Sequence, residues 1–248
     1  MTDQPLYPKV VAGYEENERG EDALVLARRV VERDGGELNV VHVEKGSPAD
    51  AFQALAERGE ADLVALGSTH HAHVGSVAPG SVAEHLLHGA RCRLVIAPKG
   101  YAQRDHSQDR LRVVGVGYDG MAESHAALDE AAKLATKFGA SMKVIGVLRP
   151  IPPTAAAAAA QAAADVGPDF QTRLYDAVSQ LPSKLRALPI LERGDPVQKL
   201  LEAAEVGIDL LVLGSRGFGP VMRLLIGSVS SRVIRGAPCP VMVVPRPG

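Results

Sequence analysis

Apolar residues along this chain fall into two kinds of pattern. Short unbroken runs rich in Val, Ile and Leu, among them LVALG (Leu63 to Gly67), RLVIAP (Arg93 to Pro98) and LLVLG (Leu210 to Gly214), have the continuity of strands covered on both faces. Such strands belong in a parallel sheet packed by helices. Between the runs, Ala127, Leu128, Ala131, Ala132, Leu134 and Ala135 recur at helical intervals, and Gly139 stands where that helix would stop. Strand-like and helix-like stretches alternate throughout, which predicts an α/β architecture with parallel sheets.

The pattern occurs twice. Val10 to Val43 lies without gaps on the stretch that begins near Val113, pairing Tyr14 with Tyr118, Leu24 with Leu128 and Val43 with Val147. Ala61 to Pro98 lies on Ile208 to Pro245, pairing Gly67 with Gly214, Gly80 with Gly227, Cys92 with Cys239 and Pro98 with Pro245. An internal repeat of this length predicts two tandem doubly wound domains, over residues 1–102 and 109–248, with residues 103–108 as the linker inside the polar stretch YAQRDHSQDR. The second copy carries a helix-like segment, QTRLYDAVSQLPSKLRA, and a strand-like one, LPILE, that the first copy lacks. Losing a central strand would leave two rows of unpaired backbone groups, so the missing strand is expected to be an edge strand in the second copy.

Composition narrows the partners. The chain has 248 residues, 46% of them hydrophobic, enough for a sizeable core, and 27 basic residues against 29 acidic ones give a formal charge of -2. That balance predicts neither nucleic acid nor an acidic membrane surface as a partner and favours a small molecule. No apolar run reaches a membrane-spanning length and MTDQPLYPKV lacks a signal-peptide pattern, so a cytoplasmic protein is expected. Cys92 and Cys239 are too few for a disulfide framework and read as small buried hydrophobes.

Candidate chemistry concentrates behind the last LLVLG run, in GSRGFGPVMRLLIGS (Gly214 to Ser228). A loop that leaves a buried parallel strand and enters a helix lies where open α/β sheets take ligands. Gly214 and Gly217 admit close approach to the backbone, and Ser228 or Ser230 can cap the next helix, whose first N–H groups favour an anion. With Arg216 and Arg223 nearby, phosphate is the natural guest. In the first copy the loop reads GSTHHAHVGSVAPGS, with His70 in place of Gly217 and Glu15 in place of Asp119, so an empty or altered first pocket is expected. Adjacent His70, His71 and His73 cannot all turn to one ion, and no cysteine or carboxylate completes a set, so no metal site is assigned to residues.

These residues carry a resemblance. Gly214, Gly217, Gly227 and Ser228, followed by APCPVMVVP and preceded by a strand ending at Asp119, resemble the nucleotide-binding branch of the universal stress protein family, here as a tandem member. The resemblance implies an adenine nucleotide alpha hydrolase-like fold with strand order 3-2-1-4-5 in each copy, and ATP bound with Mg²⁺ or Mn²⁺ through its phosphates. It implies that Gly117, Tyr118 and Asp119 end the first strand of the site and Val147 the second. Leu213 and Gly214 would line the same pocket, and Gly217, Gly227, Ser228, Val229 and Ser230 would meet the phosphates. It also implies that RLVIAP and VMVVP pair as an intramolecular pseudodimer, with a further homodimer open to the chain, and that the protein serves a stress response or signalling role through a protein partner the sequence does not name.

Other readings stand beside this one. A slow ATPase or autophosphorylating enzyme using Asp119 would occupy the same site, although no Walker loop, kinase catalytic loop or nucleophile elbow is present. GVGYDG (Gly115 to Gly120) matches the fingerprint of an NAD(P)-type dinucleotide site, and an adaptor with vestigial pockets is the remaining alternative. RPIPPTAAAAAAQAAADVGPDF is a mobile connector or a flap over the pocket.

Overall fold

A computed structural model describes residues 4–42, 47–87, 92–106, 110–150, 170–215 and 228–245. In the first half, β1 (Lys9–Gly13), α1 (Glu18–Asp34), β2 (Glu37–Val41), α2 (Pro48–Glu57), β3 (Leu63–Gly67), α3 (Ser81–Leu87) and β4 (Arg93–Ala97) follow in order. In the second half come β5 (Val113–Tyr118), α4 (Ala122–Phe138), β6 (Ser141–Leu148) and α5, helical over residues 170–179. They are followed by β7 (Ala187–Arg193), α6 (Pro196–Glu205), β8 (Leu210–Gly214), α7 (Ser228–Ile234) and β9 (Val241–Val244). Helix boundaries follow local chemistry. Asn17 caps α1 by accepting from the Gly20 N–H, Asp195 caps α6 through the Val197 and Gln198 N–H groups, and Gly139 ends α4 at φ 67°. The helix-like run before β7 stops at residue 179, short of its apolar pattern, because Pro182 has no N–H to continue the ladder.

Among the described residues the nine strands form one sheet in the order β2-β1-β3-β4-β9-β8-β5-β6-β7. The second half therefore reads 3-2-1-4-5 from β7 inward, and the first half reads the same without its strand 3. The additional strand β7 is an edge strand, as the backbone argument requires. Every pairing is parallel except β4 with β9, where Leu94 faces Val243, Val95 faces Met242 and Ile96 faces Val241. In the alignment of the repeats Val95 and Met242 are each other's counterparts, so an approximate dyad passes between them. The two copies share one continuous sheet around it.

Two apolar layers fill the sides of the sheet. Leu26, Ala127, Leu128, Leu134, Phe170 and Leu174 pack under α1, α4 and α5, whereas Phe52, Leu86, Val197, Leu200, Val233 and Ile234 pack under α2, α3, α6 and α7. The connector is anchored at its start: buried Asp22 of α1 accepts from the N–H groups of Gly100 and Ala102, and Tyr101 is buried against His106. Buried capping by Asp22 holds its first residues to the first half.

On the α1/α4 side of the sheet, a charged cluster joins the halves next to the dyad. Glu130 of α4, 3% exposed, accepts from the Tyr7 hydroxyl at 2.7 Å and takes a two-pronged bond from Arg93, Nε at 2.8 Å and Nη2 at 3.0 Å. Lys137 of α4 reaches Asp34 at the end of α1 (3.3 Å), so the carboxyl ends of the two helices meet.

Candidate functional site

The strand-end crevice of the second half lies where β5 has β6 on one side and β8 on the other. This is the switch point at which the chain crosses from one face of the sheet to the other and at which open α/β sheets expose a crevice. Of the residues the sequence assigns to the site, Gly117 and Tyr118 end β5, Asp119 follows directly, Val147 is the penultimate residue of β6, and Leu213 and Gly214 end β8. Ser228, Val229 and Ser230 form the first turn of α7, and the Ser230 hydroxyl donates to the Gly214 carbonyl at 3.3 Å. The fold thus brings these nine residues to one end of the sheet. Gly217 and Gly227, with Arg216 and Arg223, lie outside the described residues, as does the alanine-rich segment after β6.

Packing explains several of these residue types. A Cβ at Gly214 would collide with the backbone carbonyl of Glu123, so glycine is what lets the amino end of α4 sit against the end of β8. A Cβ at Gly117 would meet Leu213 at 3.0 Å and Leu200 at 3.5 Å. Asp119 accepts from the Met121 N–H at 3.0 Å, which fixes the turn into α4. The Tyr118 ring is 4% exposed, stacked near Phe170 and hydrogen-bonded to His125 Nε2 at 3.1 Å, so it belongs to the core under α4 and α5. The Ser215 hydroxyl is buried without a hydrogen-bond partner among the described residues, while its counterpart Ser68 donates to Ala97 and accepts from Ala78.

The equivalent crevice in the first half is small, a space of about 50 Å³ lined by Gly13, Glu15, Arg19, Phe52, Leu66 and Gly67 among others. Phe52 of α2 packs where Leu200 of α6 packs in the second half, each against the strand-end glycine: a Cβ at Gly13 would lie 3.0 Å from the Phe52 ring. Arg19 pairs with Glu15, and its guanidinium lies 3.5 Å from where a Gly80 side chain would begin. His70 takes no part in lining this space. It is exposed, with its ring against His71 and its carbonyl accepting from Lys99. The residues that narrow this space are thus a ring and an ion pair, and His70, which the sequence places opposite Gly217, is not among them. Aligning α2 with α6 on Pro48 and Pro196 would have exposed the Phe52 to Leu200 difference.

The dinucleotide fingerprint does not form its loop. Gly115 and Gly117 both lie inside β5, and only Gly120, at φ 78°, stands in the strand-to-helix turn. Among the described residues no cluster of three or more metal-ligating side chains occurs, and no helix is long and apolar enough to cross a membrane.

Two doubly wound units joined through antiparallel strands define a tandem α/β protein. The sequence profile of the universal stress protein family matches residues 2–98 and 110–245. A universal stress protein of Mycolicibacterium smegmatis is 31% identical over 255 residues, spanning 97% of this chain and 81% of the relative. One from Mycobacterium tuberculosis is 29% identical over 234 residues, spanning 88% and 77%. Among solved structures, a universal stress protein from Archaeoglobus fulgidus superposes with a TM-score of 0.59 at 25% identity, over 92% of this chain and 78% of that one. A second, from Pseudomonas aeruginosa, shares the fold at a TM-score of 0.62 and 13% identity. The chain belongs to the universal stress protein family.

Proposed function

We propose that this protein binds one adenine nucleotide per chain, ATP with Mg²⁺ or Mn²⁺, in the second unit, residues 109–248, and that the first unit is closed to nucleotide. The observation that carries the reading is the contrast between the two strand ends. One is occupied by Phe52 and the Arg19–Glu15 pair, whereas the other keeps the smaller Leu200 against Gly117, a carboxylate at Asp119 and hydroxyls at Ser228 and Ser230. Residues of the second crevice fit such a ligand: Leu213 and Val147 supply apolar contact, and the buried Ser215 hydroxyl has no hydrogen-bond partner among the described residues. Bound Mg²⁺ or Mn²⁺ would neutralise phosphate charge beside Asp119. Gly217 and Gly227 complete the set through the loop whose sequence points to phosphate.

The role that follows is a nucleotide-dependent stress or signalling protein of the cytoplasm, in which occupancy changes a surface offered to a protein partner. Calorimetric titration of the purified chain with ATP and Mg²⁺ tests the reading, together with mass spectrometry of nucleotide released on unfolding. The expected stoichiometry is one per chain; two equivalent sites, or none, would sink it. ADP formation above the uncatalysed background in the same samples would instead favour the slow ATPase reading.

A further inference from the structure

On the α1/α4 side of the sheet, next to the β4–β9 seam, lies a cavity of about 400 Å³ that is remote in the fold from the strand ends of β5 and β8. Its apolar lining comes from both halves: Leu26 and Val30 of α1, Leu134 and Phe138 of α4, and Val95 and Met242 of the two seam strands. Charged residues also border it. Arg33, Arg104 and Arg110 are exposed and Arg29 is half-buried, against the acids Asp105, Glu205 and Asp209. The Asp209 carboxylate is already engaged by the N–H groups of Arg112 and Val113, at 2.7 and 2.9 Å.

The approximate dyad shows why there is space. On one side of it Tyr7, Arg93 and Glu130 fill the contact between the halves with a bonded cluster. Their counterparts in the repeat alignment are Leu111, Pro240 and Leu26, and all three line the cavity. On the cavity side the mutually bonded polar side chains are replaced by apolar ones that make no such bonds across the halves. Native interiors keep few voids larger than a water molecule, and a concave apolar space of a few hundred cubic ångströms with charged groups at its border has the make-up of a ligand site.

We propose that this cavity between the halves binds a small amphipathic monocarboxylate, with its apolar body between α1 and α4 and its acid group among the arginines. Size sets the body: a space of about 400 Å³ lies within the range of small-molecule pockets, and a ten-carbon carboxylate serves as its probe. Charge sets the head group. Four arginines against three acids favour a single negative charge over a dianion, and the fork of a guanidinium matches a carboxylate. The site is independent of the nucleotide reading, since it shares no residue with the β5–β8 crevice.

Decanoate is the probe, titrated calorimetrically into the full chain, with decylammonium and decan-1-ol as the cationic and neutral bodies of the same length. The expected result is saturable one-to-one binding of decanoate, at least tenfold tighter than either analogue. Arg33→Gln combined with Arg110→Gln should weaken it about tenfold, and Leu26→Trp, which fills the space, should abolish it. Should Leu26→Trp fail to fold, the exposed arginine pair decides. Absence of saturable decanoate binding, equal binding of decylammonium, or binding indifferent to the arginine substitutions would overturn the proposal.

Discussion

Replacing Glu130 by alanine removes the one acceptor that serves both Tyr7 from the first half and Arg93 from the seam strand. The carboxylate is 3% exposed and takes three bonds of 2.7 to 3.0 Å, so the substitution strands two donors at once. Breaking a buried pair by deleting one partner costs about 3–5 kcal/mol. Arg93 keeps about a third of its side-chain surface exposed, so its charge can recover some hydration and the lower end, about 3 kcal/mol, is expected. For a chain of this size that corresponds to a fall of about 6–12 °C in melting temperature. Urea unfolding at pH 7 with an unchanged m-value is the assay.

The pH dependence supplies a second arm. Burial pushes the Glu130 carboxyl up, but the hydrogen bonds from Arg93 and Tyr7 outweigh it, and the native value lies below the ordinary glutamate range. A carboxyl depressed by folding stabilises at neutral pH, and that contribution disappears as pH falls through its native pKa, below about 4.3. The gap between the parent protein and Glu130→Ala should therefore hold from pH 7 to about 5 and narrow as pH falls below about 4.3. A substitution effect within about 0.5 kcal/mol of zero at pH 7, or a gap that widens in acid, would refute the reasoning.

One substitution and one labelling reagent probe other parts of the fold. Gly214→Ala drives a methyl into the Glu123 carbonyl, an overpacking that costs about 1–3 kcal/mol; it should lower the unfolding midpoint and weaken nucleotide binding together, and a variant as stable as the parent would show that α4 yields freely there. Burial pushes the Cys92 thiol up to about 11 and the Cys239 thiol to about 12, so neither should react with a thiolate-specific disulfide reagent at pH 8 until the chain is unfolded. Rapid labelling of the native protein at either position would contradict that burial.

By itself the sequence determined the local elements and much of their order. Continuous runs such as LLVLG suit strands buried on both faces, the spacing around Ala127 to Ala135 suits one helix face, and a dispensable strand had to stand at an edge, where β7 stands. These are properties of short segments and of backbone pairing, and they survive without knowing what lies opposite. The candidate site was legible in the same way where it follows from strand ends and glycine spacing, although the contact that requires glycine at Gly214, the Glu123 carbonyl of α4, is made only in the fold. What narrows the first crevice was not, because Phe52 comes from a helix far along the chain and acts only once α2 is laid against β1 and β3. Likewise Tyr7, Arg93 and Glu130 look like three unrelated polar residues in three segments, and Leu26, Leu111 and Pro240 like ordinary apolar ones. Only the antiparallel pairing of β4 with β9 bonds the first three into one cluster and sets the second three around a cavity that Tyr7 also borders. A repeat aligned in sequence shows which residues differ, but the volume and charge that result depend on side chains meeting across the seam, and tertiary packing alone decides those distances.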